Sequence, residues 1–443
     1  MLKPIVLKNN LTVLRLPKAS SRTCVVGFVV ATGSSHEYGF FPQGITFLIE
    51  RMFFRGSSKY PNQRALSLAI EAIGGEFESL TTEEHIHFYI QAPNEHQNKA
   101  LAILSEIIQN SLFDTLTLER EKKKIMEEIR FGEEKVQETL SNTVMNDVFA
   151  DSGLGQPLKG TIDSILSITQ EDILEYLAHQ FTNEKSYLIL GGNFDNKSLL
   201  EKVDQEWMHY NPRNKRFLDT PEITATDSFD RDFPIINYRQ RGLSQTFLVL
   251  SFLDRKIDSE TNKPISPKDR IVQMVHESFL ACLLGDGIAS KLWLKVVEDE
   301  VLAHFVNCRA EQYSLASVME IQAIVDNSQF TFALESLLSV LESLKKTTVS
   351  INEIAKTKEI LKGKWIMQQE STVAEIIWQM DNYLSLGELI TLEDIYNIVD
   401  DIDAIIIRDL ANFLFSPDKL IMTTLGTAKE TRLVEKLVKR YLQ

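Results

Sequence analysis

The order of secondary-structure signals in this chain runs through once and is then repeated. Two stretches rich in β-branched residues open it, over residues 5–16 and 22–32, parted by KASSR. A loop punctuated by glycine and proline follows. Helices are then expected at 43–55 and from Asn62 to just before Gly74, a strand pair over 76–92 and a helix over 95–110. One long helix is predicted over 117–149, with Leu118, Ile125, Met126, Ile129, Val136, Leu140 and Val144 as its apolar stripe. A helix at 168–182 and a strand at 186–191 close this half.

Beyond residue 228 the order recurs. Strands fall within 235–252, a helix at 268–283, the glycine loop LLGDG, a helix at 288–299 and strands within 302–325. Helices at 328–346, 351–370, 373–385 and 403–415 precede a strand at 419–424. A chain of 443 residues is too long for one ordinary core. Halves of similar length and order imply a duplicated α+β domain. The expected division is 1–210 and 229–443, joined by a linker at 211–228 that holds prolines and few large apolar residues.

The formal net charge of −15 argues against a nucleic-acid binder, which needs a basic surface to displace counterions. It suits long-range attraction of basic peptides. No stretch approaches the ~18 consecutive apolar residues of a membrane span. The first residues, MLKPIVLKNNLTVLRLP, alternate like a strand and lack the order of a signal peptide. Cys24, Cys282 and Cys308 are odd in number and far apart, which favours buried thiols in a reducing compartment; a cytoplasmic location is expected.

Within the helix expected at 43–55, the segment GITFLIERMFFRG (Gly44 to Gly56) places Glu50 and Arg51 side by side among apolar residues. This segment resembles the active-site helix of the pitrilysin/insulinase metallopeptidases, the inverzincins, whose motif is His-x-x-Glu-His. Gly44, Ile45, Glu50, Met52, Phe54, Arg55, Gly56 and Ser57 fit that family's frame; Phe47 and Arg51 occupy its two histidine positions. The motif has a physical logic. Residues at i, i+3 and i+4 share one helix face, so two imidazoles can grip a zinc ion while the carboxylate between them deprotonates a bound water.

The resemblance extends along the chain. In EKKKIMEEI, Glu128 matches the family's third ligand and Glu121 a carboxylate behind it. GQPLKGT at 155–161, LLGDGIASKLW at 283–293 and residues 351–426 match further segments. The resemblance implies the short two-domain subfamily, in which each domain is a mostly antiparallel mixed sheet covered by helices and each chain is half of a two-chain clamshell. It also implies zinc as cofactor. This sequence departs from that pattern: Phe47 has no donor, and Arg51 is a permanent cation that repels a divalent ion. Glu50 and Glu128 alone are poor zinc ligands, so no zinc is expected. In the second half, Glu300 and His304 stand where the family often carries a substrate-gripping Arg and Tyr. Arg51 is expected to replace the metal's charge, facing Glu50 and Glu128 and reaching toward Glu121, with Phe47 filling the space of the other imidazole.

A rebuilt metal site is the competing chemistry. His85 and His87 lie at i, i+2 on a strand, hence on one face, with Glu83 and Glu84 nearby. LLGDG is no phosphate loop, since no Lys-Ser/Thr follows it. The expected function is a catalytically inactive peptidase-like subunit. Its partner would be a zinc-bearing paralogue, the two together forming a peptide-holding chamber. The alternatives are a structural scaffold or homodimer and, third, an enzyme using His85 and His87.

Overall fold

The computed structural model describes residues 3–150, 152–194, 196–208, 210, 233–256, 265–314, 316–427 and 431–443. The linker expected at 211–228 lies outside them. The first half contains strands β1 (Ile5–Val6), β2 (Thr12–Pro17) and β3 (Thr23–Val30), then helices α1 (Ile45–Phe53) and α2 (Gln63–Glu71). Strands β4 (Glu76–Thr81) and β5 (Ile86–Pro93) lead to α3 (Gln97–Asn110), α4 (Thr115–Glu134), α5 (Val136–Phe149), α6 (Ile162–Ser167) and α7 (Gln170–Gln180). Strand β6 (Ser186–Gly192) and α8 (Asn196–Trp207) complete it.

The second half contains β7 (Ile235–Gln240), β8 (Gln245–Arg255), α9 (Pro267–Gly285), a π-helical segment at Trp293–Asp299, β9 (Ala303–Gln312) and β10 (Ala316–Asp326). Helices α10 (Phe330–Lys346), α11 (Ile351–Gln368), α12 (Thr372–Leu386), α13 (Leu392–Asp401) and α14 (Ala404–Leu414) follow. Strand β11 (Leu420–Gly426) and α15 (Thr431–Leu442) end the chain.

Two sheets carry the fold. The first has the order β1-β2-β6-β3-β5-β4 and the second β7-β11-β8-β10-β9. With β1 set aside the orders correspond strand for strand. In each, one parallel pair (β2 with β6, β7 with β11) adjoins otherwise antiparallel neighbours. Each sheet is thus mixed and mostly antiparallel, and the class is α+β. The duplication expected from element order is therefore present in the topology of the sheets.

The chain divides into two compact units, and the division is not contiguous in sequence. The first unit takes the described residues through Tyr210 together with Glu370–Trp378; the second takes the remainder. Within unit 1, Lys18 Nζ meets Glu375 Oε2 at 2.8 Å. A Cβ added to Gly191 would stand 2.0 Å from Ile376 Cδ1.

The sequence expectations differ from the structure in a few places. The strand expected at 5–16 is a hairpin. Asn10 takes φ +69, a conformation Asn tolerates better than most residues, and Ile5 pairs with Val13. The single helix expected at 117–149 is two, because Lys135 is extended (φ −83, ψ 122). Helices α6, α8, α13 and α15 go beyond the expectation. For α13 a signal was available in the capping box of Thr391 and Asp394.

Helix α1 is the element that positions the candidate site. Ile45, Leu48, Ile49 and Met52 fall at i, i+3, i+4 and i+7 and are all buried. Each such side chain contributes about 1.5–3 kcal/mol by leaving water. Phe53 packs edge-on against Phe88 of β5, ring centres 4.9 Å apart, and Phe88 in turn pairs in register with Phe28 of β3. The helix starts at Gly44, which has φ +84 and lies so close to Lys159 that a Cβ would stand 2.4 Å from that carbonyl oxygen. Gly44→Ala should therefore lose at least about 2 kcal/mol, from left-handed strain and steric overlap together. A fall in the urea midpoint at unchanged slope is the expected readout.

Candidate functional site

The site is built where α1 lies against α4 and the β4–β5 hairpin. Its N-terminal end is fixed by Glu37, a residue the sequence reading passed over. Glu37 is 1% exposed. Its Oε2 accepts from the Gly44 N–H at 2.6 Å and its Oε1 from the Thr46 N–H at 2.8 Å. Its carboxyl group thus satisfies amides at the start of α1 that have no partner within the helix. Burial pushes its pKa up to about 8, against the opposing pull of Thr46 and Gly44. Thr46 Oγ1 also bonds the Tyr176 hydroxyl at 2.7 Å, tying α1 to α7.

Further along, α1 and the turn after it present two guanidinium groups to two carboxylates of α4. Arg51 Nη2 meets Glu128 Oε1 at 2.8 Å. Arg55 Nη2 meets Glu121 Oε2 at 2.9 Å, while Lys124 Nζ meets Glu121 Oε1 at 2.7 Å. Arginines four positions apart face glutamates seven apart, and the two elements are joined like rungs of a ladder. The Arg51 guanidinium carbon lies 5.3 Å from the centre of the Phe47 ring, a cation–π distance. Phe47 itself is half-buried at the edge of the core.

Two parts of the sequence expectation are corrected. Arg51 does not reach Glu121, whose oxygens are taken by Arg55 and Lys124. Glu50, expected to face Arg51, is not paired with it either. It turns to the hairpin, where Ser79 Oγ donates to Oε1 at 2.5 Å and Thr81 Oγ1 to Oε2 at 2.9 Å. Successive residues on a strand alternate faces, so Ser79 and Thr81 point together toward α1. That alternation puts the two hydroxyls on one face but does not name the helix they meet.

These residues do not fit a zinc ion. The guanidinium of Arg51 occupies the carboxylate that would be a ligand, Phe47 offers no donor, and both oxygens of Glu50 accept hydroxyl protons. Among the described residues no group of three His, Cys, Asp or Glu side chains is arranged to hold a metal. The His85 and His87 rings do lie together, stacked with centres 5.8 Å apart. Burial lowers the pKa of each to about 4, leaving both neutral at pH 7. His87, however, pairs in register with Leu80, between Ser79 and Thr81, and so points to the sheet face away from Glu50.

Glu300 and His304 belong to unit 2. Glu300 Oε1 meets Lys295 Nζ at 2.6 Å, and its other oxygen accepts from the Ser336 hydroxyl. Although desolvation pushes its pKa upward, these partners hold Glu300 below the usual carboxylate range. His304 Nε2 lies 3.0 Å from Asp326 Oδ1. Between them Val301 adopts φ +52, an uncommon conformation for a β-branched residue.

Comparison with known proteins bears on this geometry. Residues 12–162 match the family model described as insulinase (peptidase family M16), and residues 167–361 match that of the peptidase M16 inactive domain. The chain belongs to the insulinase, or M16, peptidase family. It is 27% identical over 417 residues to an "Uncharacterized zinc protease YmxG" of Bacillus subtilis, covering 94% of each chain. It is 24% identical to the mitochondrial-processing peptidase subunit beta of Dictyostelium discoideum, over 90% of this chain and 84% of that one. A crystal structure of a protease from Helicobacter pylori shares the fold, with TM-score 0.84 at 18% identity, over 96% of this chain and 99% of that one. Among the described residues no helix is long and apolar enough to cross a membrane.

Two predictions follow from the geometry. The folded chain keeps the Glu37 proton up to about pH 8, whereas the unfolded chain releases it near pH 4.5. Between these limits the unfolded state binds fewer protons, so Glu37 makes stability fall as pH rises. Glu37→Gln cannot titrate; its stability deficit against the wild type should shrink from pH 5 to pH 8, measured by urea denaturation at each pH. A constant deficit would mean that Glu37 is ionised throughout. In a double-mutant cycle of Arg51→Met and Glu128→Gln, the coupling should be about 1 kcal/mol or less, because the two side chains are 24% and 39% exposed and solvent screens the pair. Zero coupling would remove the pair as an interaction.

Proposed function

We propose that this chain is the non-catalytic member of a two-chain peptidase, pairing with a zinc-bearing paralogue to enclose and hold peptides. The observation that carries the reading is the Arg51–Glu128 pair at 2.8 Å, which puts a fixed cation on the carboxylate a hydrolytic zinc would need. Without zinc there is no metal to lower the pKa of an attacking water. In unit 2, Glu300 brings a negative charge, tied to Lys295, to the position of a family arginine, which removes a cationic grip on a peptide carbonyl. The subunit name of the Dictyostelium relative supports an assembly of unlike chains. The excess of acidic residues supports basic peptides as the material held.

The test is native mass spectrometry with zinc counted per chain. The chain is purified alone, and after co-expression with an M16 paralogue of the same genome that has an intact His-x-x-Glu-His. The expected result is little zinc and no peptide cleavage for the isolated chain, and a one-to-one assembly in which zinc and cleavage come with the paralogue. Tightly held zinc together with cleavage in the isolated chain would overturn the reading. A zinc-free homodimer that ignores the paralogue would select the scaffold role instead.

A further inference from the structure

Unit 2 holds a cavity of about 410 Å³ between the loop that follows α9 and the helix α11. The loop is shaped by Gly287, whose φ of +112 is open to glycine and to few other residues. Just beyond it, Ser290 is 6% exposed and closes the loop, its N–H donating to the Gly287 carbonyl at 3.1 Å.

The charges around the cavity do not cancel. Three lysines and two carboxylates line it, one positive charge in excess, in a chain whose net charge is −15. Lys291 is paired with Glu353, and Lys364 with Asp286. Lys356 is different. Its Nζ donates to the Ala289 carbonyl at 2.8 Å, and among the described residues no carboxylate pairs with it. The hydrogen bond from Lys291 holds the Glu353 pKa down at about 2, so that glutamate stays charged and committed to its lysine. Burial raises the Cys282 thiol to about 11, so it adds no charge near neutral pH. Leu283, Ile360, Leu294 and Ile288 complete the wall with apolar surface, and Ile288 is 73% exposed at its position on the loop.

One unneutralised ammonium can take the oxygens of a singly charged head group. A doubly charged head would be repelled by Asp286 and Glu353, for which a single excess cation is insufficient. The apolar wall asks for a hydrocarbon body, and the volume falls within the ordinary range of small-molecule sites. We propose that this cavity binds a monocarboxylate with an apolar tail, with Lys356 holding the carboxylate and Ile288 and Leu294 covering the tail.

The test is calorimetric titration of the full chain with octanoate, and with 1-octanol as the uncharged probe of the same length. Octanoate should bind one per chain, and octanol at least about tenfold more weakly, since a charge-assisted contact is lost. Lys356→Met should weaken octanoate by a similar factor, with the thermal midpoint of the free protein unchanged. Lys346→Met, outside the cavity, should leave it alone. Equal affinity for octanol and octanoate, absence of octanoate binding at millimolar concentration, or full affinity in Lys356→Met would each overturn the proposal. The comparison of the two probes needs no variant to fold. It needs no partner chain either, so its outcome is separate from that of the pairing proposal.

Discussion

The contact between α1 and α4 sets the conditions for the rest of the first unit, and its two rungs are of different weight. Glu121 is 2% exposed and holds two cations, Arg55 and Lys124. Losing Arg55 leaves that buried charge to Lys124 alone, a lysine 53% exposed, and costs more than losing a partner that stands in water. Arg51 and Glu128 are both partly in water, where an ion pair contributes about 1 kcal/mol or less. The fold is therefore anchored by Arg55 and Glu121. Arg51, which stands at a histidine position of the family motif, sits on the rung that stability depends on least. Chemistry at positions 47 and 51 can change in such a scaffold without the scaffold being lost.

How much of this was legible in sequence varied with the physical signal. The buried stripe of α1 and the alternation of β5 come from strong local periodicity, and both elements stand within two residues of their expected places. The duplicated architecture was legible because it repeats an order of elements rather than any particular residue. The break at Lys135 was hidden because the apolar stripe continues across it: Leu140 and Val144 keep helical spacing from Ile129 and Val136 while the backbone turns. Gly132, inside the expected helix, was the clue, since glycine is a poor helix former. The hairpin in the first strand was hidden for a related reason, since Asn10 reverses the chain without glycine or proline.

Site residues were legible where a spacing rule joined them and illegible where tertiary contact did. Arg51 and Glu128 could be matched through a motif and a helix period. The partner of Glu50 could not, because Ser79 and Thr81 reach it from a hairpin about thirty residues later, in a segment that carries no special composition. Glu37 ends a short 3₁₀ helix, Ser34–Glu37, and was unremarkable in sequence. Its importance depends on its burial and on the two amides it meets.

The retention of Glu50 invites a catalytic reading, and the second unit supplies the argument against relying on it. There α9 follows β8 as α1 follows β3, and α9 carries Glu277, 2% exposed. Glu277 accepts from Ser317 Oγ at 2.8 Å and from Gln312 Nε2 at 2.7 Å, donors on β10 and β9, the strands that correspond to β5 and β4. A glutamate on the helix after the corresponding strand, pinned by donors from the corresponding hairpin, therefore occurs in both units, although the second has no histidine motif on that helix. Holding the helix to the hairpin is reason enough for a carboxylate at either place. In the first unit, the loss of imidazoles at Phe47 and Arg51 would leave that mechanical role intact, and with it the glutamate.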